Sequence, residues 1–94
     1  MKSTDEYSFR VSIETHDKTA QVVAAYFQVR KGKVKVAKEY ADGNAFADYD
    51  SRGKLLGIEL LAPCRASVLD GIAAPAPAKR FVQGAVPQGM LVTV

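Results

Sequence analysis

Hydrophobic and polar residues alternate near the start of the chain. In the segment 7–14 polar side chains occupy the even positions, and the odd positions hold Tyr7, Phe9, Val11 and Ile13. Successive side chains of a strand point to opposite faces of its sheet, so this spacing predicts a strand with one apolar face. We expect the aromatic residues of that face, Tyr7 and Phe9, to belong to the hydrophobic core.

Two further apolar segments surround the dipeptide Lys31-Gly32. Residues 24–30 are rich in aliphatic and aromatic side chains, and residues 33–40 place valines between lysines. The pattern of residues 20–30 is also compatible with one face of a short helix. Because a short glycine-containing turn joins the two segments, we expect two strands that pair as a β-hairpin.

Further turn signals occur at residues 15–18, at Asp42-Gly43 and at Ser51-Arg52-Gly53, and apolar segments follow the last two. A strand every ~8–12 residues is the spacing of an antiparallel meander. The predicted fold is therefore α+β and mainly β, an antiparallel meander of about five strands with one short helix and a C-terminal arm.

The pattern changes after Pro63. Ser67 is suited to cap a short helix over 68–74, which Pro75 ends. The stretch 73–78 (A-A-P-A-P-A) resembles a linker, so we divide the chain into a single small β-rich domain, residues 1–74, and an arm, residues 75–94. The arm contains a predicted helical turn at 79–86 and a short strand at 90–94.

The arm is apolar although it follows a linker, so it either folds back onto its own sheet or pairs with another chain. Its predicted interaction residues are Phe81, Met90, Leu91 and Val92. Most other aromatic residues are expected in the core, namely Tyr7, Phe9, Tyr26, Phe27, Tyr40, Phe46 and Tyr49.

The composition limits the classes of protein to which this chain can belong. The only cysteine is Cys64, which excludes an intrachain disulfide and favours a reducing, cytoplasmic setting. Residues 1–6 include acids and no apolar stretch, so no signal peptide is predicted, and no apolar run approaches the ~18 residues that span a membrane. The net charge of +3 is smaller than dedicated nucleic-acid-binding domains carry.

The segment from Asp48 to Glu59, D-Y-D-S-R-G-K-L-L-G-I-E, has nearly the spacing of a calcium-binding EF-hand loop. However, its fifth position holds the cation Arg52, and its flanks alternate like strands. We therefore predict a β-hairpin that reverses at Arg52-Gly53, in which Asp50 accepts backbone N–H groups of the turn. Gly57, inside the return strand, predicts a β-bulge in preference to a binding contact.

The segments H-D-K-T-A, A-A-Y-F-Q-V-R-K-G-K-V and D-Y-D-S-R-G-K-L-L-G-I-E-L-L together resemble a small bacterial domain-of-unknown-function family, number twenty-two eighty-three. The resemblance covers roughly residues 10–62. It implies a compact β-rich fold with a short helix, and it implies no established activity.

Three hypotheses for function follow. The first is a non-catalytic small interaction domain, a homodimer or a partner of another protein, without a cofactor. The second is a nucleic-acid-binding or antitoxin-like accessory that uses the basic residues of the predicted hairpin, namely Arg30, Lys31, Lys33, Lys35 and Lys38. These side chains also suit a solvated face that protects a sheet edge from pairing. The third is a metal- or ligand-dependent enzyme that uses Asp48, Asp50 and Glu59.

Nucleophilic catalysis has little support in the sequence. The only histidine, His16, lies in a predicted turn, and the sequence around Cys64 has no feature that activates a thiol. No glycine-rich phosphate-binding motif is present. No catalytic residue is therefore predicted.

Overall fold

The computed structural model describes residues 6–92, without the side chain of Asp42. Its seven strands are β1 (Arg10–Thr15), β2 (Val22–Gln28), β3 (Val36–Tyr40), β4 (Ala45–Tyr49), β5 (Leu55–Leu61), β6 (Cys64–Arg65) and β7 (Leu91–Val92). Its helices are α1 (Val68–Gly71) and α2 (Ala76–Ala85), and a single 3-10 turn spans Ala41–Gly43.

Strands β1 to β5 form one antiparallel sheet in the order β1-β2-β5-β4-β3, and β6 and β7 form a separate parallel pair. This confirms the predicted mainly-β fold with five antiparallel strands and short helices. The hairpin at Arg52-Gly53 is also confirmed, because β4 pairs directly with β5 across that turn.

The hairpin predicted across Lys31-Gly32 is wrong. Strands β2 and β3 are separated by β5 and β4, and β3 forms the far edge of the sheet. The N–H groups of Val29 and Arg30 donate to the C=O of Leu56 on β5, and the N–H of Lys35 donates to the C=O of Tyr49 on β4. The intervening residues therefore carry the chain from one half of the sheet to the other. Strand β5 is suited to the centre because nearly all its residues are buried.

The two faces of the sheet differ. Residues directly opposite each other in the ladder share a face, and one face carries the core residues Phe27, Ile58 and Ala47 in a single row. Helices α1 and α2 cover this helix face with Leu69, Ala78 and Val82, and Ile72, just after α1, packs beside them. The other, open face carries a row of partly buried or exposed side chains, namely Ser12, Tyr26, Glu59, Phe46 and Glu39.

The segment predicted to be a peripheral arm packs in cis. Ala78, Val82 and Met90 are fully buried in the same core cluster as the sheet. Helix α2 begins within the stretch predicted to be a linker, since prolines at positions 75 and 77 fit the first turn of a helix, where no intrahelical N–H bond is lost. The predicted terminal strand is found as β7; Thr93 and Val94 lie outside the described residues.

Helix α1 is shorter than the predicted helix over 68–74. It is a single turn that ends at Gly71, and the side chain of Ser67 makes no capping hydrogen bond. Ile72 instead has an extended backbone and a fully buried side chain. Burial of Ile72 in the core therefore takes precedence over continuing the helix.

The expectation that most aromatic residues are in the core is confirmed only in part. Phe27 and Tyr49 are buried, and Tyr7 and Tyr40 are partly buried against the core. Phe9 is 40% exposed, and Tyr26 and Phe46 are partly buried on the open face. The two helices cover the middle of the sheet, so aromatic residues on the open face and at the sheet edges keep contact with water.

Candidate interaction surface

The apolar side of strand β1 is largely uncovered. Val11 lies opposite Phe27 and Ile13 lies opposite Ala25, so both side chains are on the helix face. Even so, Val11 is 41% and Ile13 is 49% exposed. The alternation in the sequence identified this apolar side of β1 but did not predict its exposure to water. Beyond β2, the helix face is an apolar surface in contact with water.

Helix α2 contacts the residues just before β1. The ring of Phe81 stacks on the ring of Phe9 at a centroid distance of 4.6 Å, and it meets the ring of Phe27 edge-on at 6.2 Å. Phe9 also stacks on Tyr7 at 5.0 Å. These aromatic contacts hold the start of β1 against the body of the protein, while Val11 and Ile13 extend past the helix.

The backbone of β1 also offers hydrogen-bonding groups at the edge of the sheet. The N–H of Ala62 donates to the C=O of Val23, so odd-numbered residues of β2 bond to β5 and even-numbered residues bond to β1. Their partners on β1 are the even-numbered residues Arg10, Ser12 and Glu14. The N–H and C=O groups of Val11 and Ile13 therefore point away from the sheet, as in any edge strand.

The open face of β1 carries balanced charge. Arg10, Ser12 and Glu14 are all exposed there, with one cation and one anion separated by four residues. Strand β1 thus combines an apolar side, a side with one charge of each sign, and a free backbone edge. These three features define the surface that we call the β1 edge.

The opposite edge, strand β3, differs in charge. Val34 is 50% and Val36 is 46% exposed, which resembles the apolar exposure on β1. However, the segment 30–35 that leads into β3 carries four cations and no acid, and β3 itself carries one cation and one acid, Lys38 and Glu39. The four cations are Arg30, Lys31, Lys33 and Lys35. Cationic side chains at a sheet edge oppose pairing with a second copy of the same edge.

The five predicted basic residues have different surroundings. One guanidinium nitrogen of Arg30 donates to the C=O of Leu55 at 3.2 Å, and this group also lies 4.6 Å from the centre of the Tyr7 ring. The ammonium of Lys38 lies 5.6 Å from the centre of the Tyr49 ring. Both cations therefore interact within the chain. The lysine side chains at positions 31, 33 and 35, in the segment between β2 and β3, are exposed.

The carboxylates of the hairpin formed by β4 and β5 have different roles. One carboxylate oxygen of Asp50 accepts the N–H groups of Arg52 at 2.8 Å and Lys54 at 2.9 Å, which confirms its predicted role in the turn. These hydrogen bonds, that from Lys54 first, hold the pKa of Asp50 below its usual value. Among the described residues, no group of three His, Cys, Asp or Glu side chains is arranged to hold a metal ion.

Asp48 lies on the open face and interacts with Tyr26. The hydroxyl of Tyr26 donates to a carboxylate oxygen of Asp48 at 3.1 Å, and Glu59 lies directly opposite Tyr26 in the ladder. Partial burial, followed by the charge and hydrogen bond of Asp48, raises the pKa of Tyr26 to about 12. The phenol thus remains protonated and serves as a hydrogen-bond donor.

The contact between Tyr26 and Asp48 depends on the missing side chain at Gly57. The ring of Tyr26 lies in the space that a β-carbon on Gly57 would fill, and so the ring passes over β5 to reach Asp48 on β4. The predicted bulge is present beside it, since Asp48 pairs with Gly57 while Tyr49 pairs with Leu55. The glycine was visible in the sequence, but its partner Tyr26 was not, because this pairing joins distant segments.

The remaining predicted residues occupy unrelated environments. Met90 is fully buried, Phe81 and Leu91 are partly buried, and Val92 is 38% exposed. Cys64 is buried, and that burial raises the pKa of its thiol. The exposed His16 uses Nδ1 to accept the N–H of Lys18 within its turn. No helix of the described chain has the length and apolar character needed to cross a membrane.

A cleft with a volume of about 710 Å³ lies beside the 3-10 turn. It is open to solvent, and its polar lining includes Asn44, Arg65 and Ser67. The amide of Asn44 already donates to the C=O of Pro63, so it supports the wall of the cleft. The lining residues that the structure describes include no carboxylate, cysteine or histidine.

Comparisons with protein-family models, with curated proteins and with solved structures gave no match to this chain. The resemblance to the domain-of-unknown-function family therefore stays a prediction from sequence.

Proposed function

We propose that this chain is a non-catalytic interaction domain that self-associates through the β1 edge. The observation that carries the proposal is the coincidence of two properties in one strand. Val11 and Ile13 expose apolar side chains, and the backbone groups of the same two residues point away from the sheet. A second strand added there gains main-chain hydrogen bonds and buries apolar surface at the same time.

The size of the chain supports the proposal. With 94 residues, it buries a smaller share of its surface than a larger domain, so an assembly that covers more apolar area adds to its stability. An exposed edge strand with apolar side chains also has to be covered or paired to avoid aggregation. Pairing with a second copy at β1 answers both requirements.

Light scattering after gel filtration tests this proposal with a matched pair of variants. Val11→Lys places a charge on the β1 edge, and Val36→Lys places the same charge on the similarly exposed β3 edge. The wild type and the Val36→Lys variant are expected to have twice the monomer mass, and the Val11→Lys variant is expected to have the mass of a monomer. A monomeric wild type, or a Val11→Lys variant that keeps the dimer mass, contradicts the proposal.

A further inference from the structure

We infer that two copies of this chain pair their β1 strands antiparallel about a two-fold axis at Ser12, with Arg10 of each copy opposite Glu14 of the other. This inference rests on the self-association proposed above and specifies its partner and register. It assigns an intermolecular role to two charged residues that have none in the functional hypotheses drawn from the sequence.

The backbone restricts the registers available to such a pair. Only the odd-numbered residues of β1 direct their N–H and C=O groups outward, as the bonding of its even-numbered residues to β2 requires. In an antiparallel pair of identical strands, the outward residues of one copy must meet outward residues of the other. A two-fold axis at Ser12 satisfies this condition because Val11 then lies opposite Ile13 of the second copy.

Charge selects among the registers that satisfy the backbone. A two-fold axis at Arg10 places two guanidinium groups opposite each other, and an axis at Glu14 places two carboxylates opposite each other; both arrangements are destabilising. Axes at Val11 or Ile13 leave Arg10 and Glu14 without an opposite charge directly across the interface. Only the axis at Ser12 brings each Arg10 opposite a Glu14, and two-fold symmetry forms that pair twice.

The apolar side fits the same register. Val11 and Ile13 are 41% and 49% exposed on the helix face. With the axis at Ser12, each of these side chains lies directly across from the other type, so that four aliphatic groups form one continuous patch between the two sheets. The ten strands would then make a single antiparallel sheet with the helices of both copies on the same side.

Disulfide trapping tests the register. Residues opposite each other in a pair without direct hydrogen bonds have Cα atoms about 4.5 Å apart, within the range a disulfide spans. Under mild oxidation, the Ser12→Cys chain is expected to form a cross-linked dimer, and the Arg10→Cys and Glu14→Cys chains are expected to cross-link only when mixed with each other. Wild type, whose only cysteine is the buried Cys64, serves as the control for background oxidation.

The outcomes distinguish the two proposals. A wild type that is a monomer overturns self-association and the register together. A wild type that is a dimer, but whose Ser12→Cys variant cross-links no faster than Glu14→Cys alone, overturns the register and leaves self-association standing. Cross-linking of the Arg10→Cys or Glu14→Cys chain with itself likewise overturns the register, because the axis at Ser12 separates those pairs by four residues along the strand.

Charge exchange provides a second measurement that needs no cysteine. The Arg10→Glu chain and the Glu14→Arg chain are each expected to dimerise at least tenfold more weakly than wild type, because like charges face each other twice. An equimolar mixture of the two is expected to recover the dimer, since every facing pair is then of opposite sign. A mixture that stays monomeric while wild type dimerises contradicts the inferred pairing.

Discussion

The ring of Tyr26 lies directly over Gly57, in the space that a side chain at that position would require. The two residues belong to neighbouring strands, and the hydroxyl of Tyr26 continues past the glycine to Asp48 on the next strand. One hydrogen-bonded side chain therefore links three strands across the open face of the sheet. This link stabilises the sheet on the face that no helix covers.

The substitution Gly57→Ala is expected to lower the free energy of unfolding by about 1–2 kcal/mol, because the tyrosine must move away and lose its bond to a charged acceptor. Chemical denaturation by urea measures the loss. In a Tyr26→Ala background the same substitution is expected to cost close to nothing, since no ring then occupies the space. An equal cost in both backgrounds would show that the contact is irrelevant to stability.

The raised pKa of Tyr26, about 12, predicts a loss of stability in alkali. Below pH 10, the ordinary value, the phenol is protonated in both the folded and the unfolded chain, so the full contribution is present. Between the two pKa values the unfolded chain loses the proton first, and the free energy of unfolding decreases. Denaturation curves at about pH 8 and about pH 11 are expected to differ more for wild type than for Tyr26→Phe.

Comparison with the Tyr26→Phe variant is needed because burial and the hydroxyl of Tyr40 also raise the pKa of Tyr49. Both chains contain Tyr49, so its contribution cancels in the difference between them. An identical loss of stability in wild type and in Tyr26→Phe would contradict the assignment to Tyr26.

The C-terminal segment is expected to be essential for stability because Met90 is fully buried. Met90→Ala should lower the free energy of unfolding by about 2–5 kcal/mol, the range for truncating a buried methionine. Val92→Ala, at the more exposed position on β7, should change it by no more than about 0.5 kcal/mol. Thermal and urea denaturation of both variants check this, and similar effects at the two positions would contradict packing in cis.

Asp50 is expected to stabilise the turn through the two N–H groups that it accepts. Asp50→Ala should destabilise the chain, and Asp50→Asn should do so less, because an amide oxygen can still accept both bonds. The lowered pKa gives wild type a contribution that is present above the unfolded pKa and is lost as pH falls through the lower folded value. Urea denaturation of Asp50→Asn across that acidic range should lack this decrease.

The local elements of the fold were predictable from the sequence. The reversal at Arg52-Gly53 and the role of Asp50 depend on residues only two to four positions apart, so the pattern of turn residues was sufficient. The bulge beside Gly57 was predictable for a similar reason, because a glycine inside a strand often marks a bulge or a close approach by a neighbouring group.

Pairings between distant segments were not predictable in the same way. The turn at Lys31-Gly32 has the appearance of a hairpin, but β5 pairs with β2 and displaces β3 to the far edge. The exposure of Val11 and Ile13 to water depends on the position of α2. The alternation of residues within β1 does not predict that position. The sequence therefore identified the apolar side of β1 but did not predict its exposure to water.

Amide hydrogen exchange followed residue by residue at increasing protein concentration tests the β1 edge most directly. The N–H groups of Arg10, Ser12 and Glu14 bond to β2 within one copy, so they should be protected at every concentration. The N–H groups of Val11 and Ile13 should exchange rapidly in dilute solution and become protected as dimers form. Rapid exchange of these two amides at all concentrations would contradict self-association through β1.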